Sequence, residues 1–233
     1  MVTAFPGKTH DIKVCLLEPA QKPELTPVRR LDMGSAQDEF VENNPWIPEQ
    51  NFTGFCSFMQ SFYEEAFKPE MQLRCAIVIA LNNNSEEHLN SRHNRAEKKF
   101  RLLYCPAILS PELADGFAIR VAEHTDFGTI KMLFEDSDGG LQAEIRTSPG
   151  VFRRIKLARL TDIIFIIGDS FQRLTTDTFR AAYYWVTLPP LVKAGGNVEI
   201  LERYSIAYFT KPNCRAVLLL LKETYYRCET SQV

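Results

Sequence analysis

The chain has 233 residues, with Lys+Arg 27 against Asp+Glu 29 and a net charge of −2. A hydrophobic fraction of 45% and a charged fraction of 24% suit a globular chain that buries one core. The charge balance argues against a nucleic-acid binder, and the longest apolar runs (163–167 and 216–221) are too short to span a bilayer.

The opening segment, MVTAFPGKTHDIKV, has no apolar stretch of the signal-peptide kind. Cys15, Cys56, Cys75, Cys105, Cys214 and Cys228 form no CxxC pair. Free thiols in a reducing, cytoplasmic compartment are therefore expected, and the sequons at Asn51 and Asn83 carry no weight there. Residues 1–50 hold Pro6, Pro19, Pro23, Pro27, Pro45 and Pro48 without sustained periodicity, which predicts a loop or extended segment.

Residues 51–98 form the helical part. Phe55, Phe58, Met59, Phe62 and Ala66 fall at i, i+3, i+4, i+7 and i+11, an amphipathic helical pattern. Pro69 is expected to break or kink that helix, with 70–81 continuing as a buried helix. Ser85 is placed to cap a short helix whose first turn holds Glu86 and Glu87.

From residue 99 to 233 the pattern is β. KFRLLYCP, GFAIRVAEH, GTIKMLFED, LQAEIRTS, VFRRIKL, DIIFIIGD, AYYWVTL, ERYSIAYF and AVLLLLK are strand-like runs. Asp115-Gly116, Asp138-Gly139-Gly140, Pro149-Gly150 and Gly195-Gly196-Asn197 mark turns between them. Many short strands after a helical segment predict a mainly β fold, a sandwich or jelly roll with N-terminal helices on one side. Gly168-Asp169 is read as turning a strand into the next segment. The glycine pairs lack the phosphate-loop spacings, the cysteines lack zinc spacing, and Ser170 lacks the GxSxG context of a nucleophile.

Residues 124–128 read HTDFG. On a strand, i and i+2 share a face, so His124 and Asp126 converge on one point. With a second histidine from a distant strand they would complete a 2-His-1-carboxylate site for Fe(II), leaving open positions for co-substrate and O2.

HTDFGTIKMLFEDSDGGLQ (124–142), IIGDSFQRLTTDTFR (166–180) and RYSIAYF (203–209) resemble, in order and rough spacing, the Fe(II)/2-oxoglutarate-dependent dioxygenases. The likeness is to the isopenicillin N synthase-like branch, with many plant and fungal tailoring enzymes. NNPWIPE (43–49) and FRLLYCP (100–106) extend it to about residues 43–213. The resemblance implies a double-stranded β-helix, with Fe(II), 2-oxoglutarate and O2 as cofactor and co-substrates. His124 and Asp126 would be iron ligands. Arg203, with Ser205 beside it, would grip the distal carboxylate of 2-oxoglutarate. A guanidinium fork on the same strand face as a hydroxyl suits that role.

The sequence departs from the family at the third ligand. His10, His88, His93 and His124 are its histidines, and none follows 124. The family's second histidine falls at Tyr184. As a ligand, a phenol of pKa ~10 must lose its proton, and the phenolate suits ferric better than ferrous iron. Two other readings stand beside it: a two-ligand site with an extra water, at a cost in affinity, and a packed aromatic whose hydroxyl is hydrogen-bonded. Cys105 stands where the family often has a 2-oxoglutarate-binding tyrosine. The family's N-terminal segment and terminal helix are not recognised, so truncation at both ends is expected; a partner chain, a homo-oligomer or an imperfect gene model would each account for it.

Three functions follow. The first is oxidation of a small organic molecule by hydroxylation, desaturation or cyclisation, in secondary metabolism. The second is a non-oxidative isomerase or cyclase with Tyr184 as acid or hydrogen-bond donor. The third is an inactive binding subunit on the same fold.

Overall fold

The computed structural model describes residues 29–34, 46–81, 86–93, 98–109, 120–136, 140–159, 161–187, 199–213 and 216. In chain order the elements are β1 (Arg29–Gly34), α1 (Phe55–Ala80), α2 (Glu86–Ser91), β2 (Lys99–Cys105), β3 (Ile108–Leu109), β4 (Val121–His124), β5 (Ile130–Glu135), β6 (Leu141–Ile145), β7 (Ser148–Arg154), β8 (Ile164–Ile167), α3 (Asp169–Leu174), β9 (Tyr184–Val186), β10 (Glu199–Ile200) and β11 (Arg203–Thr210). The Ser85 cap, the Asp115-Gly116 turn and the AVLLLLK strand fall at or beyond the edges of the described residues.

Strand pairing is antiparallel throughout. One sheet has the order β1-β2-β11-β5-β8, a second β4-β9-β6-β7, and β10 pairs with β3. Leu133 and Ala207 of the first sheet pack on Leu141, Tyr184 and Val186 of the second. This is the mainly β, jelly-roll architecture expected from the strand pattern.

Helix α1 covers the outer face of the five-stranded sheet. Met59, Phe62, Tyr63 and Ala66 pack on Phe100, Met132 and Tyr208. Further along, Ile77, Val78 and Leu81 pack with Leu89, Ile130, Phe171 and Leu174. Pro69 does not end the helix, which runs unbroken from Phe55 to Ala80. A proline in a helix interior costs about 3 kcal/mol. Here both flanking turns are fastened to the same sheet, and that packing outweighs the local cost. The stretch 70–81 is not buried all round, because Met71 and Ile79 are exposed.

The pleat of β5 sets up the interior. Ile130, Met132 and Phe134 meet the helices. Lys131, Leu133 and Glu135 therefore face the other sheet. Ser205 stands opposite Glu135, Ala207 opposite Leu133 and Phe209 opposite Lys131. The space between the sheets thus receives charged side chains as well as apolar ones. No described helix is long and apolar enough to cross a membrane.

Candidate functional site

The site begins at the end of β4. In the β4–β9 pairing, His124 stands directly opposite Tyr184. Register alone therefore puts residue 184 against the imidazole, and the two ring centroids are 4.5 Å apart. His124 Nδ1 lies 2.7 Å from the carbonyl of Ala122. A carbonyl only accepts, so Nδ1 carries the proton and Nε2 presents its lone pair inward.

Asp126 sits in the turn between β4 and β5, held by the start of α3. The Asp169 amide donates to the Asp126 carbonyl at 2.8 Å, and Ser170 Oγ donates to the Phe127 carbonyl at 2.6 Å. Thr125 Oγ1 donates to Asp169 Oδ2 at 3.1 Å. Gly168 permits this approach. A Cβ there would lie 2.4 Å from the Gly128 carbonyl oxygen and 2.6 Å from that of Asp126. We expect Gly168→Ala to cost about 3 kcal/mol, the upper range for overpacking, and to shift Asp126. Urea denaturation checks the loss; wild-type stability in this variant would refute the clamp.

His124 and Asp126 do converge. Nε2 is 3.9 Å from Asp126 Oδ1. Between them lies the Tyr184 hydroxyl, 2.8 Å from His124 Nε2 and 3.0 Å from Asp126 Oδ1, two acceptors that share its single proton. Lys131 completes the cluster. Its Nζ is 3.0 Å from Asp126 Oδ2, donates to the Tyr184 oxygen, and stands 4.0 Å from the centre of the tyrosine ring.

Burial, and then the Asp126 carboxylate, push the Tyr184 phenol well above its ordinary range. Its neutral form is thereby favoured. Burial also pushes His124 down, helped by Lys131 and Arg101, which favours the neutral imidazole. Lys131 is lowered by burial, with the Asp126 carboxylate opposing the shift.

Arg203 opens β11 and Ser205 follows two residues on, on the same inner face. Arg203 Nη1 donates to Ser205 Oγ at 3.0 Å. Its Nη2 donates to Glu135 Oε2 at 2.6 Å, and both side chains of this ion pair are about 1% exposed. The guanidinium therefore already holds a carboxylate from its own chain. Arg101 makes a further, half-exposed pair, bidentate to Asp32 at 2.7 and 2.8 Å.

Iron and 2-oxoglutarate can be tested against this arrangement. The tautomer of His124 and the direction of Asp126 suit a metal. The third position does not. Tyr184 is a neutral phenol standing on the convergence point, and the buried Lys131 amine is beside it. A dication within about 4 Å of an ammonium meets roughly 8 kcal/mol of repulsion even at an effective dielectric near 20. Among the described residues, no group of three or more His, Cys, Asp or Glu side chains is gathered for a metal. As arranged, these residues do not fit a three-ligand ferrous site.

Sequence reasoning brought His124, Asp126, Tyr184, Arg203 and Ser205 forward and missed Lys131 and Glu135. Both had a faint signal. They sit on one face of β5, whose other face is formed by Ile130, Met132 and Phe134.

No protein-family model matches the chain. The 2-oxoglutarate-dependent dioxygenase frbA of a Dothideomycetidae species is 38% identical over 182 residues, covering 78% of this chain and 53% of that protein. Proline hydroxylase buaE of Petromyces alliaceus is 38% identical over 182 residues, covering 78% of this chain and 55% of its own. The chain thus spans about half the length of these curated relatives. A full-length Neurospora crassa protein crystallised with α-ketoglutarate and thymine superposes with a TM-score of 0.77 at 28% identity. That match covers 94% of this chain and 66% of the Neurospora chain. By sequence relatives and by fold together, the chain belongs to the 2-oxoglutarate/Fe(II)-dependent dioxygenase family.

Proposed function

We propose that this chain acts on a small organic molecule of secondary metabolism, as an oxidoreductase of the 2-oxoglutarate class. The observation that carries the reading is the placement of four side chains. His124, with its Nε2 lone pair turned inward, faces Asp126, while Arg203 and Ser205 line the inner face of β11. The support from relatives is their naming as 2-oxoglutarate-dependent dioxygenases and as a proline hydroxylase. A structural neighbour holds thymine, a small heterocycle, together with α-ketoglutarate. The site is open to solvent on one side, where the His124 side chain is 39% exposed and Phe127 is 80% exposed.

This reading also puts the protein in the cytoplasm, supported by the free thiols of Cys56 and Cys105. It leaves room for a partner chain or homo-oligomer against the exposed apolar residues Phe58 and Ile79 of α1.

A second reading is favoured by one specific observation, the Lys131–Tyr184–Asp126 contacts. If that cluster stays closed, the chain is a metal-free member of the family, either a non-oxidative catalyst or a binding subunit. Anaerobic titration with Fe(II) and 2-oxoglutarate separates the two. A metal-to-ligand charge-transfer band, followed by succinate formation in air, is the expected result for the oxidoreductase. Complete absence of both from folded protein would reject it in favour of the metal-free reading.

A further inference from the structure

The inner face of β5 carries two charged side chains, and each is aimed at a group that the family site would offer to something from outside. Lys131 Nζ contacts Asp126 Oδ2 at 3.0 Å and the oxygen of Tyr184. Glu135 Oε2 contacts Arg203 Nη2 at 2.6 Å. Both are buried: Lys131 is 4% exposed and Glu135 8%. They are four residues apart on one strand, so a single element delivers a cation to the carboxylate end and an anion to the guanidinium end.

The match is chemical as well as spatial. Asp126 and the lone pair of His124 call for a positive group, and Lys131 is one. Arg203 and Ser205 call for a carboxylate, and Glu135 is one. A side chain attached to the protein loses no translational freedom on binding, so it competes at high effective concentration. Burial strengthens both contacts, because little water screens them.

We propose that Lys131 and Glu135 are intramolecular competitors, Lys131 for the metal ion at His124 and Asp126, and Glu135 for the dicarboxylate co-substrate at Arg203. The proposal rests on reading His124, Asp126 and Arg203 as the family's binding groups. It has a specific consequence. Restoring a histidine at position 184 is not sufficient for tight metal binding, because the lysine remains.

Metal binding is read by titrating Mn(II) and following the loss of its free-ion EPR signal. The proteins are wild type, Tyr184→His, Lys131→Ala and the Tyr184→His/Lys131→Ala pair, with Lys131→Arg as a charge-conserving control. The double variant is expected to bind roughly tenfold or more tightly than Tyr184→His alone, while Lys131→Arg binds no better than wild type. The second arm is calorimetric binding of 2-oxoglutarate to wild type and Glu135→Gln, with Glu135→Ala beside it. Glu135→Gln keeps the volume and removes the charge, and about tenfold tighter binding is expected.

The outcomes separate the two claims. Metal binding that appears in Tyr184→His and is unchanged by removing Lys131 overturns the competitor role while leaving the site reading intact. Equal 2-oxoglutarate affinity in wild type and Glu135→Gln overturns the other half in the same way. Circular dichroism confirms folding of each variant. Folded variants that take up neither metal nor 2-oxoglutarate in any combination overturn the site reading itself, and the proposal with it.

Discussion

Glu135→Ala loses about 3–5 kcal/mol of folding stability, the range for removing one partner of a buried ion pair. The residue is a carboxylate on β5 whose side chain is about 1% exposed, with its Oε2 2.6 Å from Arg203 Nη2. Truncation leaves a guanidinium inside the protein with Ser205 Oγ as its side-chain neighbour on the same strand face. Arginine does not escape by losing its proton, because its pKa is too high. The cost is therefore the desolvation of an unpaired charge and not the modest net worth of one contact. Removing both partners tests that account. Glu135→Ala/Arg203→Met should recover much of the loss, since exchanging a buried pair for apolar groups is often close to neutral. Chemical denaturation of the single and double variants gives the numbers. A single variant within about 1 kcal/mol of wild type would sink the argument.

The same pair shows where sequence reading reached its limit. Strand periodicity identified the runs that become β5 and β11, and the i, i+2 rule put Arg203 and Ser205 on one face. Within a single strand, however, a polar face ordinarily means solvent. Only the order β2-β11-β5-β8 shows β5 inside its sheet, with helices on one face and the second sheet over the other. That position, which comes from pairing across the chain, turns Lys131 and Glu135 into interior groups. Tyr184 was legible as the residue in the place of a ligand, because it lies just after the matched block at 166–180. Its contact with Lys131 was not, since no local pattern relates residues 53 positions apart on different sheets. Pro69 is the converse case. Its ring disfavours a helix interior, so a break or kink was expected there, but the packing of α1 on the sheet, from Met59 to Val78, keeps the helix continuous.

Acid should unfold this protein through His93 at a pH where most carboxylates are still ionised. His93 is 1% exposed. Its Nδ1 faces the Leu89 carbonyl at 2.8 Å, so that nitrogen carries the proton, and Nε2 meets Thr129 Oγ1 at 3.1 Å. Burial pushes its pKa from 6.5 down to about 4, and the charges of Arg74, Lys98 and Arg92 add to the shift. Glu70, the anion that interacts with Arg74 and Lys98, is itself pushed upward by burial and is tied to Arg74 at 2.8 Å. The unfolded chain therefore takes up a proton at His93 as pH falls below 6.5, while the folded chain resists until about 4. Stability is full above 6.5 and is lost progressively towards 4, by about 3 kcal/mol from this group alone. Urea denaturation of wild type and His93→Gln at steps between pH 7 and about 4 isolates the effect. The variant starts less stable, because it gives up packing and hydrogen bonds, but its curve should be flatter across that window. Parallel curves for the two proteins would show that the imidazole is not what the acid titrates. A flatter curve for His93→Gln would identify the buried imidazole as the group whose protonation destabilises the fold across that window.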